Sequence, residues 1–301
     1  MARYLLVRLL DSIPTVLLVL TLVFVALRIL PGDPALAALG ENAQPEAIAQ
    51  FRERFGLNDP LWLQYLHFLR DMVTLDFGSS IISRLPVAQL LMSNLPYTIE
   101  LTVAAVLIGV VFGIPVGVWA AVNRNRAPDA GFRVFSLVGY AIPDFYLGAV
   151  LLIVFSLWLG WFPINGAGEG FWDRMHHLVL PAITLAMLKI AFLGRLTRTS
   201  LLEVLGRDYV RTARAKGISP RRVLLHHVVR NAMTPVLTVL GLHMGTLLGG
   251  TVLVEYVFNW PGLSTPLLRA VEARDYPMVV GIVLTISGLF LLINLIMDLL
   301  Y

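Results

Sequence analysis

Among the few titratable residues inside the long apolar runs of this chain are Asp144, Lys189, His243 and Glu255, and Asp298 lies near the end of the last run. A lone charge in hydrocarbon is costly, so such residues face a protein interior or a water-filled cavity and mark the paths of ions or polar solutes. Pro143 interrupts a helix and frees backbone groups, so we expect a broken helix at Asp144 that faces a cavity. The four residues are therefore candidates for a translocation pathway, although Glu255, near a helix end, also fits a side chain that reaches the interface.

The other residue types exclude most catalytic chemistry. The chain contains no cysteine, so it has no thiolate nucleophile and no thiolate metal site. The pairs His176-His177 and His226-His227 are adjacent in sequence and point to different sides of a helix, unlike the i, i+4 spacing of a helical zinc site. Neither HExxH nor G-x-S-x-G occurs. We predict no catalytic residue, no metal site and no resident cofactor.

A nucleotide site of the P-loop type is also absent from the sequence. That loop needs Gly-Lys-Ser/Thr, whereas Lys189 is followed by Ile190 and Lys216 by Gly217. The chain is therefore not predicted to be an enzyme. If it transports a solute against a gradient, the energy comes from a partner or from an ion gradient.

Composition indicates a membrane protein, because 57% of the residues are hydrophobic and 14% are charged, against about 25% charged in soluble domains. Segments of about 20 mostly apolar residues are long enough to span a bilayer as helices. The sequence predicts an all-α fold with six spans: Leu9 to Leu30, Tyr97 to Val122, Val134 to Phe162, Leu178 to Leu196, Pro235 to Phe258 and Pro277 to Leu300.

Basic residues predict the orientation of these spans. Most Lys and Arg residues lie before the first span, after the second and after the fourth, which places both termini in the cytoplasm. Residues 31–95 then form an external segment, in which Pro45 to Phe55 and Leu61 to Leu75 are expected as short helices. Residues 195–234 form a cytoplasmic loop, and 1–301 are interpreted as one membrane domain. A cleaved signal peptide ending near Ala37 is the alternative for the first span.

The cytoplasmic loop carries the most informative segment of the chain. Asp208 is a good helix N-cap, Tyr209 to Lys216 would form a helix of roughly 12 Å, and Gly217 is a natural stop. Pro220 then opens a second helix, which we interpret as short. Two short helices joined at Gly217 would form a knob that a soluble partner grips.

Two spans carry small residues at every fourth position. One stripe is Gly109, Gly113 and Gly117, and the other is Gly241, Gly245 and Gly249. Such stripes let helix backbones approach closely in lipid. Packing within one bundle, a subunit interface and a sliding pathway all remain open for each stripe.

Seven motifs, distributed over essentially the whole chain, resemble one family. They are Leu30-Pro31-Gly32-Asp33-Pro34, Leu75-Asp76-Phe77-Gly78, Leu180-Pro181-Ala182, Asp208 through Gly217, Arg230-Asn231-Ala232, Phe258-Asn259-Trp260-Pro261-Gly262-Leu263 and Arg274-Asp275-Tyr276-Pro277. Together they resemble the permease subunits of ABC importers for dipeptides, oligopeptides, glutathione and nickel. The resemblance implies the type I importer permease fold and a multi-pass location in a bacterial or archaeal plasma membrane.

The resemblance also implies how the chain couples to ATP. In that family a cytoplasmic signature, the EAA loop, seats a short coupling helix in a groove of the ATPase. Arg211-Thr212-Ala213 stands at the Glu-Ala-Ala positions and Gly217 at the glycine. The coupling residues implied in this way are Asp208, Tyr209, Arg211, Thr212, Ala213, Arg214, Ala215, Lys216 and Gly217.

The implied assembly contains a second, similar permease, two ATPase subunits that bind ATP and Mg, and an external substrate-binding protein docking on the side of residues 31–95. Peptide is the expected cargo, and glutathione or a nickel chelate remains open within the family. From the residues alone, an ion-coupled secondary transporter is the alternative, because Asp144, Lys189 and Glu255 lie inside the spans.

Overall fold

The computed structural model describes residues 2–29, 34–39, 43–54, 56–74, 76–244 and 247–300. These residues are helical with turns and loops between the helices, and no strand occurs among them beyond one isolated bridge between Ser79 and Pro86. The all-α prediction is therefore confirmed. The helices, numbered in chain order, are α1 (Ala2–Ile29), α2 (Pro34–Leu39), α3 (Pro45–Arg54), α4 (Leu61–Val73), α5 (Val87–Val122), α6 (Ala127–Ala141), α7 (Asp144–Leu151), α8 (Gly170–Leu205), α9 (Asp208–Ala215), α10 (Pro220–Arg222), α11 (Arg230–Met244), α12 (Leu247–Val257), α13 (Ser264–Glu272) and α14 (Tyr276–Leu300).

Two of these helices continue into a wider, π-helical turn. Leu152–Trp158 extends α7, and Val223–Val229 joins α10 to α11. The chain from Pro220 to Met244 is thus one helical stretch and not the short second helix expected from the sequence. Pro235 lies inside α11 and does not start a helix there, since in membrane helices neighbouring groups can satisfy the backbone that a proline frees.

Four helices are long and apolar enough to cross a membrane within the described residues: Val87–Val122, Gly170–Leu205, Pro220–Gly241 and Tyr276–Leu295. A fifth span results if α6 and the helix Asp144–Trp158, bent by 104° at their break, are counted as one. Inside α1, the segment Ile13–Ala26 is a shorter apolar helix. The count of six spans and the cytoplasmic location of the termini stay predictions.

Backbone contacts divide the chain into two compact units. The first unit contains Met1–Pro96 and Gly262–Leu295, and the second contains Tyr97–Pro261 and Ile296–Tyr301. The interpretation of residues 1–301 as a single permease domain stays a prediction.

The first unit holds the segment interpreted as external. Its two expected short helices are present as α3 and α4, so that prediction is confirmed for the described residues, which exclude Phe55 and Leu75. The buried core of this unit combines the start of α5, α13 and the start of α14, with Val87, Leu91, Met278 and Ile282 among its members.

The second unit is built around α8, against which α6, α7, α11 and α12 pack. One buried cluster joins α5, α8 and α12 through Leu101, Leu185 and Val254. Trp260 is enclosed in this cluster, and its indole N–H donates to the carbonyl oxygen of Tyr97 at 2.9 Å. A second cluster, described below, forms under α9.

Candidate coupling surface and pathway residues

Helix α9 ends in a Schellman motif at the glycine expected to stop it. The N–H of Ile218 donates to the carbonyl of Ala213 at 3.3 Å, and the N–H of Gly217 donates to the carbonyl of Arg214 at 3.0 Å, which is the bonding pattern of that motif. Gly217 has φ +76°, a left-handed conformation that glycine adopts without strain. Glycine at this position thus fixes where α9 ends.

The start of α9 differs from the sequence expectation. Arg207 occupies the N-cap position, and Asp208 is the first helical residue. The Asp208 carboxylate therefore does not cap the helix. It lies in the first turn, where a negative charge interacts favourably with the helix dipole. It also forms an exposed ion pair of 3.6 Å with Arg211. Sequence alone cannot separate an N-cap aspartate from an N1 aspartate, because both stabilise the same helix end.

One face of α9 anchors the helix to the second unit. Val210 and Ala213, three residues apart and so on the same side, are buried. They pack with Ala121 of α5, Leu201 of α8 and Val223 at the end of α10 in one apolar cluster. The buried face of α9 thus packs directly against the ends of α5 and α8.

The opposite face of α9 is exposed. Its exposed residues are Asp208, Tyr209, Arg211, Thr212, Arg214, Ala215 and Lys216, and Gly217 follows them. The Tyr209 hydroxyl accepts a hydrogen bond of 3.1 Å from the side-chain amide of Asn231, which fixes the ring against α11. The surface is thus a short basic helix presented on an apolar base, and not a knob made by two short helices.

Asp144 and Lys189 lie on neighbouring helices of the second unit. Asp144 is the first residue of α7, directly after the break at Pro143 that bends the two helices by 104°. Lys189 projects from α8, and the carboxylate and the ammonium group attract each other without forming a direct ion pair. Both side chains are partly buried. The structure thus brings two of the four candidate pathway residues together at a broken helix, as expected for Pro143.

The remaining two candidates are placed differently. Glu255 of α12 is completely buried, and its backbone carbonyl accepts a hydrogen bond of 2.8 Å from the N–H of Trp260. The side chain of His243 lies outside the described residues. No group of three or more histidine, aspartate or glutamate side chains that could hold a metal ion occurs in the described parts of the chain.

The first glycine stripe packs α5 directly on α8. A Cβ atom at Gly109 would lie 2.7 Å from Lys189 Cβ, and one at Gly113 would lie 3.1 Å from Leu193 Cβ. At Gly117 it would meet the carbonyl oxygen of Gly194. This stripe is therefore an intrachain contact. In the second stripe Gly241 is buried, Gly249 lies in α12, and Gly245 lies outside the described residues.

Two buried carboxylates that hold the fold escaped the sequence interpretation. Asp129 of α6 is fully buried and bonded by Arg198 of α8. Asp275, in the first unit, accepts hydrogen bonds from the Ser80 hydroxyl at 2.5 Å and from the N–H groups of Ile81 and Met278 at 3.1 and 3.3 Å. The bond from Met278 caps the start of α14. Asp275 belongs to one of the seven motifs, which was its only signal.

Glu100 of α5 also has a specific partner. Its carboxylate pairs with the Arg174 guanidinium of α8. The same guanidinium lies 4.3 Å from the ring centre of Tyr97, which in turn packs edge-on against Trp260. An ion pair and a cation–π contact thus hold the Tyr97–Glu100 part of α5 against the start of α8 in the second unit.

The described residues are thus all-helical, with one helix broken at Pro143 and a basic helix seated on an apolar base. Solved structures show the same fold. The MetNI methionine ABC transporter in an inward-facing conformation superposes with a TM-score of 0.57, at 20% identity over 70% of this chain and 94% of that one. An amino acid ABC transporter crystallised with histidines gives a TM-score of 0.55, at 16% identity over 71% and 93% of the two chains.

Sequence relatives are far more similar and cover the whole chain. The glutathione transport system permease protein GsiC of Escherichia coli (strain K12) is 45% identical over 301 residues, covering all of this chain and 97% of the relative. GsiC of Salmonella choleraesuis (strain SC-B67) is 44% identical over the same span. Residues 113–301 match the family described as binding-protein-dependent transport system inner membrane component, and residues 1–102 match its N-terminal region. The chain belongs to this family: it is a multi-pass inner-membrane permease of an ABC importer, with the type I fold.

Proposed function

We propose that this chain is the permease subunit of an ATP-driven importer of short peptides, with glutathione as the first candidate cargo. The observation that supports this choice of cargo is the 44–45% identity, over the full chain, to permeases named for glutathione transport. Glutathione is itself a small peptide, so it fits the expectation from the sequence motifs. A nickel chelate remains the alternative within the same family.

The proposed assembly has this chain, a second homologous permease, two ATPase subunits and an external substrate-binding protein. The chain itself hydrolyses nothing; ATP and Mg are bound by the ATPases. The exposed face of α9 would seat on an ATPase, which the packing of Val210 and Ala213 on the ends of α5 and α8 supports. Nucleotide-driven movement of α9 would then shift the bundle between inward-open and outward-open states.

The proposed pathway passes the helix break at Pro143. Asp144 and Lys189 present opposite charges to each other there, and a peptide with a free amino group and a free carboxylate carries the complementary pair. A partly buried charge attracts a counter-charge more strongly than an exposed one, because water screens it less. Glu255 and His243 remain further candidates for contact with the cargo.

The test is uptake by liposomes that contain the complete complex, with binding protein outside and ATP in the lumen. Labelled glutathione, a labelled dipeptide and nickel with a chelator are offered in turn, and ADP replaces ATP in the matched control. Peptide uptake that requires ATP is the expected result. Nickel uptake without peptide uptake would assign the alternative cargo, and uptake that needs no ATP and collapses with an uncoupler would assign an ion-coupled transporter.

A further inference from the structure

The first unit contains a cavity of about 300 Å³ that none of the pathway residues lines. Parts of α1, α3, α4, the segment 76–81 and the start of α14 surround it. Its volume is at the lower end of the range for small-molecule sites in proteins. On the predicted topology it lies in the external part of the chain.

One face of α4 forms a wall of this cavity. Gln64, His67, Phe68, Asp71 and Met72 all line it, and their spacing of three, four, seven and eight residues puts them on one side of a helix. None of the residues of α4 is fully buried. Phe68 and Met72 also pack against the buried core of the first unit, whereas Gln64, His67 and Asp71 give the cavity wall a polar part.

A preorganised cation stands at one end of this wall. The Arg28 guanidinium of α1 donates to Gln64 Oε1 from Nε at 3.0 Å and from Nη2 at 2.6 Å. Gln64 in turn donates from its amide nitrogen to the carbonyls of Leu57 and Asp59 at 3.3 and 2.7 Å, which fixes its oxygen towards the arginine. The orientation of the guanidinium is thereby set before any ligand arrives.

Arg28 lacks a carboxylate partner among the described residues. Its other neighbours are the rings of Phe24 and Tyr276, with centres at 5.0 and 5.4 Å from the guanidinium carbon. A guanidinium has five N–H donors, and Gln64 takes up only two of them. The remaining donors and the uncompensated charge suit a carboxylate, which arginine binds with two parallel hydrogen bonds.

A negative group stands at the other end. Asp71 follows Gln64 by seven residues, or about two turns, so the two lie roughly 10 Å apart along the same face of α4. Its carboxylate has no hydrogen-bond or ion-pair partner in the part of the chain that the structure describes. Asp76, also in the lining, adds a second carboxylate, one oxygen of which accepts the N–H of Gly78 at 3.0 Å.

We propose that this cavity is a binding site for a short zwitterionic peptide, with its carboxylate on Arg28 and its amino group on Asp71. This inference rests on the proposed function. An extended chain advances about 3.4 Å per residue, so three residues span the distance between the two charged ends. A zwitterionic lipid headgroup carries the same charges but joins them through a short ethanolamine link that does not reach from one to the other. The site would hold a peptide outside the membrane-spanning pathway, before translocation.

The test measures equilibrium binding to the purified complex in nanodiscs, without the external binding protein. The probes are trialanine, its C-terminal amide and its N-acetyl form. In the wild type each blocked form should bind roughly 10- to 100-fold more weakly than trialanine, the loss expected for one charged hydrogen-bonded contact. The Arg28→Gln variant should bind trialanine as weakly as the wild type binds the C-terminal amide. It should bind the amide no more weakly than it binds trialanine. Asp71→Asn should behave in the same way towards the acetylated form.

The control variant is Arg70→Gln, which removes an exposed charge of α4 next to Asp71 but outside the cavity lining. It should bind all three probes like the wild type. Arg28 also holds Gln64, so a second variant, Arg28→Lys, keeps the positive charge at this position. If Arg28→Gln does not fold, the measurements on Asp71→Asn decide the question, because Asp71 is exposed.

The proposal would be overturned if both blocked forms bound as tightly as trialanine, or if neither variant changed the affinity for trialanine. The proposal would also be overturned if the complex bound no peptide and native mass spectrometry instead found a phosphatidylethanolamine molecule that both variants lose. The uptake assay separates this inference from the proposed function. If the full system imports peptide with ATP but the complex without its binding protein binds no peptide, only the cavity assignment is overturned. If no peptide is imported at all, the proposed function is overturned.

Discussion

The guanidinium of Arg198 on α8 holds the carboxylate of Asp129 on α6 with two hydrogen bonds, Nε to Oδ1 at 2.5 Å and Nη2 to Oδ2 at 2.9 Å. Asp129 has no solvent exposure, and the backbone N–H of Asn125 donates to its second oxygen at 3.0 Å. Bidentate pairing with arginine is a strong geometry for a buried carboxylate. The pair therefore fixes the turn after α5 and the start of α6 against α8.

We expect Arg198→Gln to destabilise the complex by about 3–5 kcal/mol, because the substitution leaves a buried charge without its partner. The matched control is Arg133→Gln. Arg133 approaches the same carboxylate at 3.9 Å but its side chain is 58% exposed, so its removal should cost less than about 1 kcal/mol. The midpoint of thermal unfolding measures both, and equal shifts for the two variants would contradict a special role for the Arg198 pair.

At Gly217, substitutions should act through the backbone and not through crowding. No atom lies within 4 Å of the position that a Cβ would take, and φ is +76°. Gly217→Val should therefore strain the end of α9 by about 1–2 kcal/mol, whereas Gly217→Asn should cost less, since asparagine tolerates left-handed conformations better. The ratio of ATP hydrolysed to peptide imported should rise in the valine variant and stay near the wild-type value in the asparagine variant. Equal coupling in both would show that the left-handed turn has no part in energy transfer.

Gly117 should be the least tolerant position of the first glycine stripe. A Cβ atom there would sit 2.7 Å from Thr197 Cβ and against the backbone of Gly194, so α5 and α8 must separate to accept it. We expect Gly117→Ala to cost about 1–3 kcal/mol. The control is Gly131→Ala in α6, where no atom lies within 4 Å of the added carbon and alanine favours the helix by about 1 kcal/mol. Thermal unfolding should thus shift in opposite directions, and a stabilised Gly117→Ala would refute the packing argument.

Local signals in the sequence predicted the local features of the fold. Gly217 stopped α9 and Pro220 opened the next helix, because each of these residues restricts the backbone at its own position. The short helices α3 and α4 were predicted from periodicity in the same way. The broken helix at Pro143 was also expected from a single residue.

Identical residue types, however, gave different outcomes elsewhere. Pro14, Pro181 and Pro235 all lie inside helices, whereas Pro143 lies at a sharp break. Whether a helix continues through a proline depends on which neighbouring groups satisfy the freed backbone, and this information is not local. For the same reason the sequence expectation of a short helix after Pro220 was wrong.

Long-range pairs that hold the fold could not be predicted from the sequence either. Asp129 and Arg198 are 69 residues apart, and Asp275 and Ser80 are 195 apart. Helical periodicity assigns a residue to a face but not to a partner on another helix. Asp144 and Lys189 were identified because they are charges in apolar runs, yet their proximity emerged only from the packing of α7 on α8.

The pathway role of Asp144 and Lys189 predicts how paired substitutions behave. Lys189→Gln and Asp144→Asn each leave one charge without its counterpart in the membrane, so each should lower peptide uptake. Exchange of the two residues, Asp144→Lys with Lys189→Asp, should recover part of the loss, with a coupling free energy of about 1 kcal/mol or more. ATP hydrolysis by the detergent-solubilised complex is the control, because α9 and its apolar base are unchanged. If the single variants also lost folding or ATP hydrolysis, the pair would be structural. If peptide uptake fell while folding and ATP hydrolysis persisted, the two charges would contact the cargo.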